Sequence, residues 1–194
     1  VKKERRVPRR PKKFRSQIVS KWLLETFEPC KAADVGGGKG LLCYLLQQSG
    51  WDATVIDPEY QDLPLKYTSL EKKRIKISPD ATVPHITAPF EEEMTKDFNL
   101  LIGLHVHGSC MKIIKSCAEY KKDFVLLPCC VIDEPIDKQP NINWRESLIE
   151  YAQSLGLDVK TVKFGFMGKD IAIYTDSYLP RCSVEIVQKI NAAG

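Results

Sequence analysis

Ala33-Asp34-Val35-Gly36-Gly37-Gly38-Lys39-Gly40 is the stretch on which the reading of this chain turns. The short apolar run of residues 32–35 reads as a buried strand, and residues 41–48 read as a helix that Gly50 ends. A glycine loop between a strand and a helix can turn sharply and let a ligand approach its backbone closely. The ligand would then sit over the carboxyl end of the strand, at the helix N-terminus. A phosphate-cradling loop needs Gly-Lys-Ser/Thr, but Gly40 is followed by Leu41. A dinucleotide fingerprint needs G-x-G-x-x-G, but counting from Gly36 the sixth position is Leu41. What remains is G-x-G-x-G at Gly36, Gly38 and Gly40, preceded by the acid Asp34.

Outward from the loop, apolar runs alternate with helical patterns. Ser16 is positioned to cap a helix over 17–27, with Ile18, Trp22, Val19 and Leu23 at i,i+4 spacing. A second strand over 53–56 ends in Asp57-Pro58, a third spans 74–77, and a helical turn is expected near 91–96. The apolar run 98–104 is a fourth strand, Ser109 caps a helix to 120, and 124–127 is a fifth strand. Asn143 and Glu146 make a capping pattern for a helix ending at Gly156, and strands over 157–164 and 171–175 form a hairpin. Such alternation implies an α/β fold: a mostly parallel sheet covered on both faces, with an antiparallel hairpin at one edge. An acid at position 57 suits a ligand ribose, because one carboxylate accepts both hydroxyl protons.

A second constellation follows strands four and five. Leu104-His105-Val106-His107-Gly108-Ser109-Cys110 and Leu127-Pro128-Cys129-Cys130 would face the same crevice as the glycine loop. His105 or His107 can take a proton from a hydroxyl or amine, given the ordinary imidazole pKa of about 6.5. Cys129 or Cys130 can instead add covalently to a pyrimidine. Adjacent cysteines are a poor metal spacing beside C-x-x-C, so no metal is expected. As free thiols they also suit a packed core, the reading adopted for Cys43 and Cys117. Asp133 and Glu134 read as loop residues, Lys39 as an exposed residue or an anion anchor, and Trp144 as core.

The G-x-G-x-G loop with Asp34 and Asp57 resembles class I S-adenosylmethionine-dependent methyltransferases. The resemblance covers roughly residues 16–176 and implies a Rossmann-like fold with a seven-stranded sheet. It implies that Asp34 orients the methionine amino group of S-adenosylmethionine. Gly36, Gly37, Gly38 and Gly40 would lie along the methionine and ribose, and Asp57 would hold the ribose hydroxyls. Asp80, after the third strand, would contact the adenine, and Leu104 would also line the cofactor site. The His and Cys-Cys segments are similar to the transfer-RNA ribose methyltransferases of the Trm13 type, with His107 in place of that group's first cysteine. Acceptors other than RNA, namely a small molecule or a protein, fit the same core, as does a module that binds the cofactor without turnover. An NAD-dependent oxidoreductase is disfavoured by the missing sixth-position glycine.

The chain has 194 residues, 43% hydrophobic and 28% charged, with a net charge of +4. The charge is unevenly divided. Residues 1–15 hold nine Lys/Arg against one acid, Glu4, for a net +8, and the remainder is net −4. The domain boundaries expected are a basic arm over 1–15, a catalytic domain over 16–176 and an extension over 177–194. Basic arms of this kind bind phosphate backbones, so RNA is the expected partner. No apolar run reaches the roughly 18 residues of a membrane span. No signal-peptide pattern is read and the seven cysteines are scattered, so a cytoplasmic setting without disulfides is expected.

Overall fold

The computed structural model describes residues 11–135 and 143–181. Most of the expected basic arm (1–10) and most of the expected extension (182–194) lie outside the described residues. A short 3-10 turn, Lys12–Phe14, leads into α1, Arg15–Thr26. The chain continues through β1 (Lys31–Val35), α2 (Leu41–Gln47) and β2 (Asp52–Ile56). β3 (Lys66–Thr68), β4 (Arg74–Lys76) and β5 (His85–Ile86) follow, then a 3-10 segment over Glu92–Asp97 and β6 (Leu100–Leu104). α3 (Cys110–Tyr120), β7 (Asp123–Leu127), α4 (Trp144–Ser154), β8 (Lys160–Lys163) and β9 (Ile171–Tyr174) complete the order.

Seven strands form one sheet in the order β5-β2-β1-β6-β7-β9-β8. The first five are parallel to their neighbours. β9 runs antiparallel to β7, and β8 antiparallel to β9, so the hairpin closes one edge as the sequence predicts. The sheet is apolar on both faces because helices cover both. In β7, Phe124 and Leu126 join the cluster under α3 and α4. Val125 and Leu127 join the cluster under α1 and α2. Trp22 of α1 packs edge-on against Phe27, Phe164 and Tyr174, tying that helix to the hairpin.

Three local expectations are corrected. Helix α1 begins before Ser16, with Phe14 in the cap position, because the preceding 3-10 turn already sets the helical path. Arg74–Lys76 is not a strand of the large sheet. Among the described residues it pairs only with β3, in a small antiparallel ribbon, and all three of its residues are exposed. The third position on that side of the sheet belongs to β5, paired with β2 through Val55–His85 and Ile56–Ile86. Finally, neither Ser109 nor Asn143 makes a side-chain cap bond, although both occupy cap positions.

The cap of α3 comes from Glu134. Its carboxylate accepts the Cys110 N–H at 2.7 Å and the Met111 N–H at 3.2 Å. Glu134 is therefore a buried structural residue, not a solvated loop acid. It holds the segment after β7 against the helix that follows β6. At the other end of the sheet, Asp123 is fully buried and gathers the chain after β9. Its carboxylate accepts the Thr175 hydroxyl and the N–H groups of Ser177, Tyr178 and Leu179, all at 2.7–2.9 Å.

Candidate functional site

Five parallel strands point their carboxyl ends the same way, and the candidate residues collect along that rim. The glycine loop leaves β1 through Gly36, whose N–H donates to the Ile56 carbonyl at 2.8 Å. Gly36, Gly38 and Gly40 all take left-handed backbone, with φ of +67°, +53° and +69°. Gly40 is the most demanding, since a Cβ there would lie 2.7 Å from Val83 and 3.1 Å from Val55. A Cβ on Gly37 would lie 2.6 Å from a carboxylate oxygen of Asp34. The loop is glycine-rich because its backbone takes left-handed φ and folds closely over a buried acid, neither of which a side chain would allow.

Asp57 closes the loop from the neighbouring strand. One carboxylate oxygen accepts the Gly38 N–H at 3.0 Å and the other accepts the Glu59 N–H at 3.0 Å. Each oxygen keeps a further lone pair for a ligand hydroxyl. Asp34 is only 3% exposed, and burial pushes its carboxyl up to about 7, helped by the nearby Asp57 charge and opposed by Arg15. Arg15 feels both Asp34 and Cys129. The sequence reading places it in the basic arm and misses this proximity to Asp34 and Cys129. Its only sequence signal is membership of a basic run, which hides a half-buried cation beside the exposed Lys12 and Lys13.

A crevice of about 450 Å³ runs along this rim, lined by Gly36, Asp57, Phe90, His105, His107 and Lys112, among others. The expected cofactor residues Gly36 and Asp57 thus share a cavity with the two histidines. Leu104 does not join them, because its side chain packs into the core under α1 and α2. Asp80 is exposed, its N–H donating to the Ser78 hydroxyl. It precedes β5, and with Arg74–Lys76 outside the large sheet it no longer follows the third strand. Lys39 is exposed.

His105 sits at φ +63°, a left-handed conformation that a non-glycine residue adopts at a cost of about 1–3 kcal/mol. It is pinned there by its N–H donating to the Leu127 carbonyl at 3.1 Å. Burial and the nearby charges of Arg15, Lys12 and His107 pull its imidazole down to about 4. The expectation of an ordinary imidazole base is thereby revised: His105 stays neutral at physiological pH and holds an added proton weakly. Cys129 and Cys130 are half-buried, with sulfurs 3.4 Å apart. Burial and the Cys130 neighbour push the Cys129 thiol up to about 11, so it is a poor thiolate nucleophile at neutral pH. Cys110 does not reach the rim; it is buried in α3 and its thiol faces the Val106 carbonyl. Cys43 and Cys117 are buried in the core as the sequence predicts.

A second, larger cavity of about 630 Å³ adjoins the cysteines. Pro128, Cys129 and Cys130 form one wall, Trp144 and Arg145 of α4 another, and Lys169 and Asp170 of the hairpin turn a third. Trp144 is core on one face, as expected, yet its indole N–H is buried without an acceptor among the described residues. Lys12 lies over the same turn, against Gly168. Among the described residues, no helix is long and apolar enough to cross a membrane.

No protein-family model matches the chain. A Caenorhabditis elegans protein named "Probable tRNA (uracil-O(2)-)-methyltransferase" is 28% identical over 158 residues, 75% of this chain. The match spans about a quarter of that protein, 27% of its length. Among solved structures, magnesium protoporphyrin IX methyltransferase from Synechocystis PCC 6803 with bound S-adenosylmethionine superposes with a TM-score of 0.50 at 13% identity. It covers 85% of this chain and 79% of that one. Aeropyrum pernix fibrillarin, also with S-adenosylmethionine bound, gives 0.50 at 10% identity over 84% and 76%. The sheet order, the antiparallel edge and these likenesses together give the chain a Rossmann-like fold of the kind found in class I methyltransferases.

Proposed function

We propose that this chain is an S-adenosylmethionine-dependent methyltransferase whose acceptor is RNA, transfer RNA in the first instance. The observation that carries the cofactor reading is the crevice lined by Gly36 of the left-handed glycine loop and by half-buried Asp57, with buried Asp34 directly beneath the loop. Its donor set fits the group. Asp57 has free lone pairs for two ribose hydroxyls, and the Gly36 backbone lines the cavity without a side chain. Asp34, once ionised, pairs with the methionine ammonium, and Arg15 offers a cation for the methionine carboxylate. When bound, the cofactor supplies an electrophilic methyl on a sulfonium sulfur. The protein's part is alignment of the acceptor for in-line displacement. Neutral His105, which lines the crevice, accepts a hydrogen bond from an acceptor hydroxyl and orients it.

Three features support RNA over a small molecule or a protein. The larger cavity is flanked by Arg145, Lys169 and Lys12. The basic arm continues from Lys12 toward the N-terminus. The C. elegans relative is named for a transfer-RNA activity. The test is calorimetric titration with S-adenosylmethionine of the wild type and Asp57→Ala, followed by transfer of labelled methyl to total RNA, protein extract and metabolites. Binding lost in the variant and label entering the transfer-RNA fraction are expected. Wild-type protein that fails to bind even with RNA present overturns the cofactor reading. Label entering only protein or metabolites overturns the acceptor.

A further inference from the structure

His107, Cys129 and Cys130 come from loops after different strands, yet their ligand atoms all lie within 4.8 Å of one another. Successive side chains of an extended strand point to opposite faces. The 3.4 Å between the Cys129 and Cys130 sulfurs means that the chain past Pro128 has turned both thiols to one side. The loop carrying His107 is pinned to the cysteine loop on either side of the histidine. The His105 N–H donates to the Leu127 carbonyl at 3.1 Å, and the Gly108 N–H to the Ile132 carbonyl at 3.0 Å. A Cβ on Gly108 would lie 2.9 Å from Asp133, so the two loops are in direct contact there.

Zinc binds thiolate sulfur at about 2.3 Å and imidazole nitrogen at about 2.0–2.1 Å, which sets tetrahedral ligand atoms roughly 3.3–3.8 Å apart. The two sulfurs, 3.4 Å apart, need to part by only a few tenths of an ångström to reach the sulfur–sulfur end of that range, about 3.8 Å, and the ligand atom of exposed His107 lies within 4.8 Å of both. Two thiols and one imidazole are a soft donor set. We infer that His107, Cys129 and Cys130 form a binding site for a soft divalent cation of the zinc class, with its fourth position open. Three protein ligands and one open position is the pattern of catalytic rather than purely structural zinc. The cysteines line the larger cavity and the histidine lines the cofactor crevice, so the ion would stand at the passage between them. Sequence spacing argues against a metal because it shows only the adjacent pair and not the third ligand, supplied from another strand.

The test is titration of the reduced full chain with cobalt(II), followed by its visible d–d bands and its near-ultraviolet thiolate-to-cobalt band. One cobalt per chain with tetrahedral band intensity is expected, displaced by zinc. Cys129→Ser and Cys130→Ser should each remove about half of the thiolate band, since each supplies one of two sulfurs. His107→Ala, at an exposed position, should weaken binding by about tenfold or more. Cys30→Ser, half-buried just before β1, should change nothing. No thiolate band in the wild type overturns the site whatever the variants do, as do bands that persist in the Cys129→Ser/Cys130→Ser double variant. The readout needs no turnover, so its failure leaves the methyltransferase reading standing, and the reverse.

Discussion

Asp34 makes the site sensitive to pH. Its folded carboxyl titrates at about 7, above its ordinary value of 3.8, chiefly because it is buried. A raised acid stabilises the fold fully only below the unfolded pKa, and that contribution is lost as pH rises through about 7. Asp34→Asn should therefore unfold at higher temperature than the wild type at pH 8 without ligand, with the gain shrinking toward pH 4. Binding has the opposite sign, because the methionine ammonium needs the ionised carboxylate. Wild-type affinity should fall by up to about tenfold per pH unit below 7, and Asp34→Asn should flatten that slope. Calorimetry from pH 5.5 to 8.5 reads both. Arg15→Ala should weaken cofactor binding by about tenfold or more, a loss on the scale of one charge-assisted hydrogen bond. The glycine loop and Asp57 are legible in the sequence because turn chemistry leaves a local signature. Arg15 and the strained His105 are not, because each depends on what a distant segment places beside it.

Helix α3 and the segment after β7 act as one unit through Glu134. Glu134→Ala leaves the Cys110 and Met111 N–H groups without their acceptor and should cost about 1–2 kcal/mol, read by denaturant unfolding. Because the same segment carries Cys129 and Cys130, the variant should also weaken cobalt binding. Asp123→Ala is more severe. It strands three backbone donors and a hydroxyl around a fully buried position, and about 3–5 kcal/mol is expected. Apolar runs over residues 98–104 and 124–127 announce β6 and β7, since strands buried on both faces carry no polar alternation. The ribbon of β3 and β4 has no such signature, and sequence alone puts β4 in the large sheet. A three-residue segment has too little pattern to show its partner, and β5, at two residues, has less still. Glu134 is unreadable as a cap because it lies 24 residues from the N–H it accepts.

At the scale of the molecule, charge is divided between a basic N-terminal stretch and a mildly acidic body. Residues 1–10 hold six Lys/Arg and one acid. Deleting them should weaken RNA binding and make the salt slope shallower by about 0.7–0.9 for each phosphate the arm neutralises, measured by anisotropy across a salt series. Unchanged slopes would remove the arm from RNA binding while leaving the cavity cations in place. The two margins of the large sheet also differ from its centre. One ends in β5, too brief to template another strand. The other ends in β8, where exposed Lys163 and Thr161 face solvent and Lys160 is held by Asp176 at 2.7 Å. Charged side chains on an outer strand discourage a second copy from adding its own backbone to the ladder. The hairpin that completes the fold thus also sets its shelf life: Lys163→Val with Thr161→Val should leave the domain folded yet bring on fibrillar self-association, visible by thioflavin fluorescence, at concentrations where the wild type stays clear.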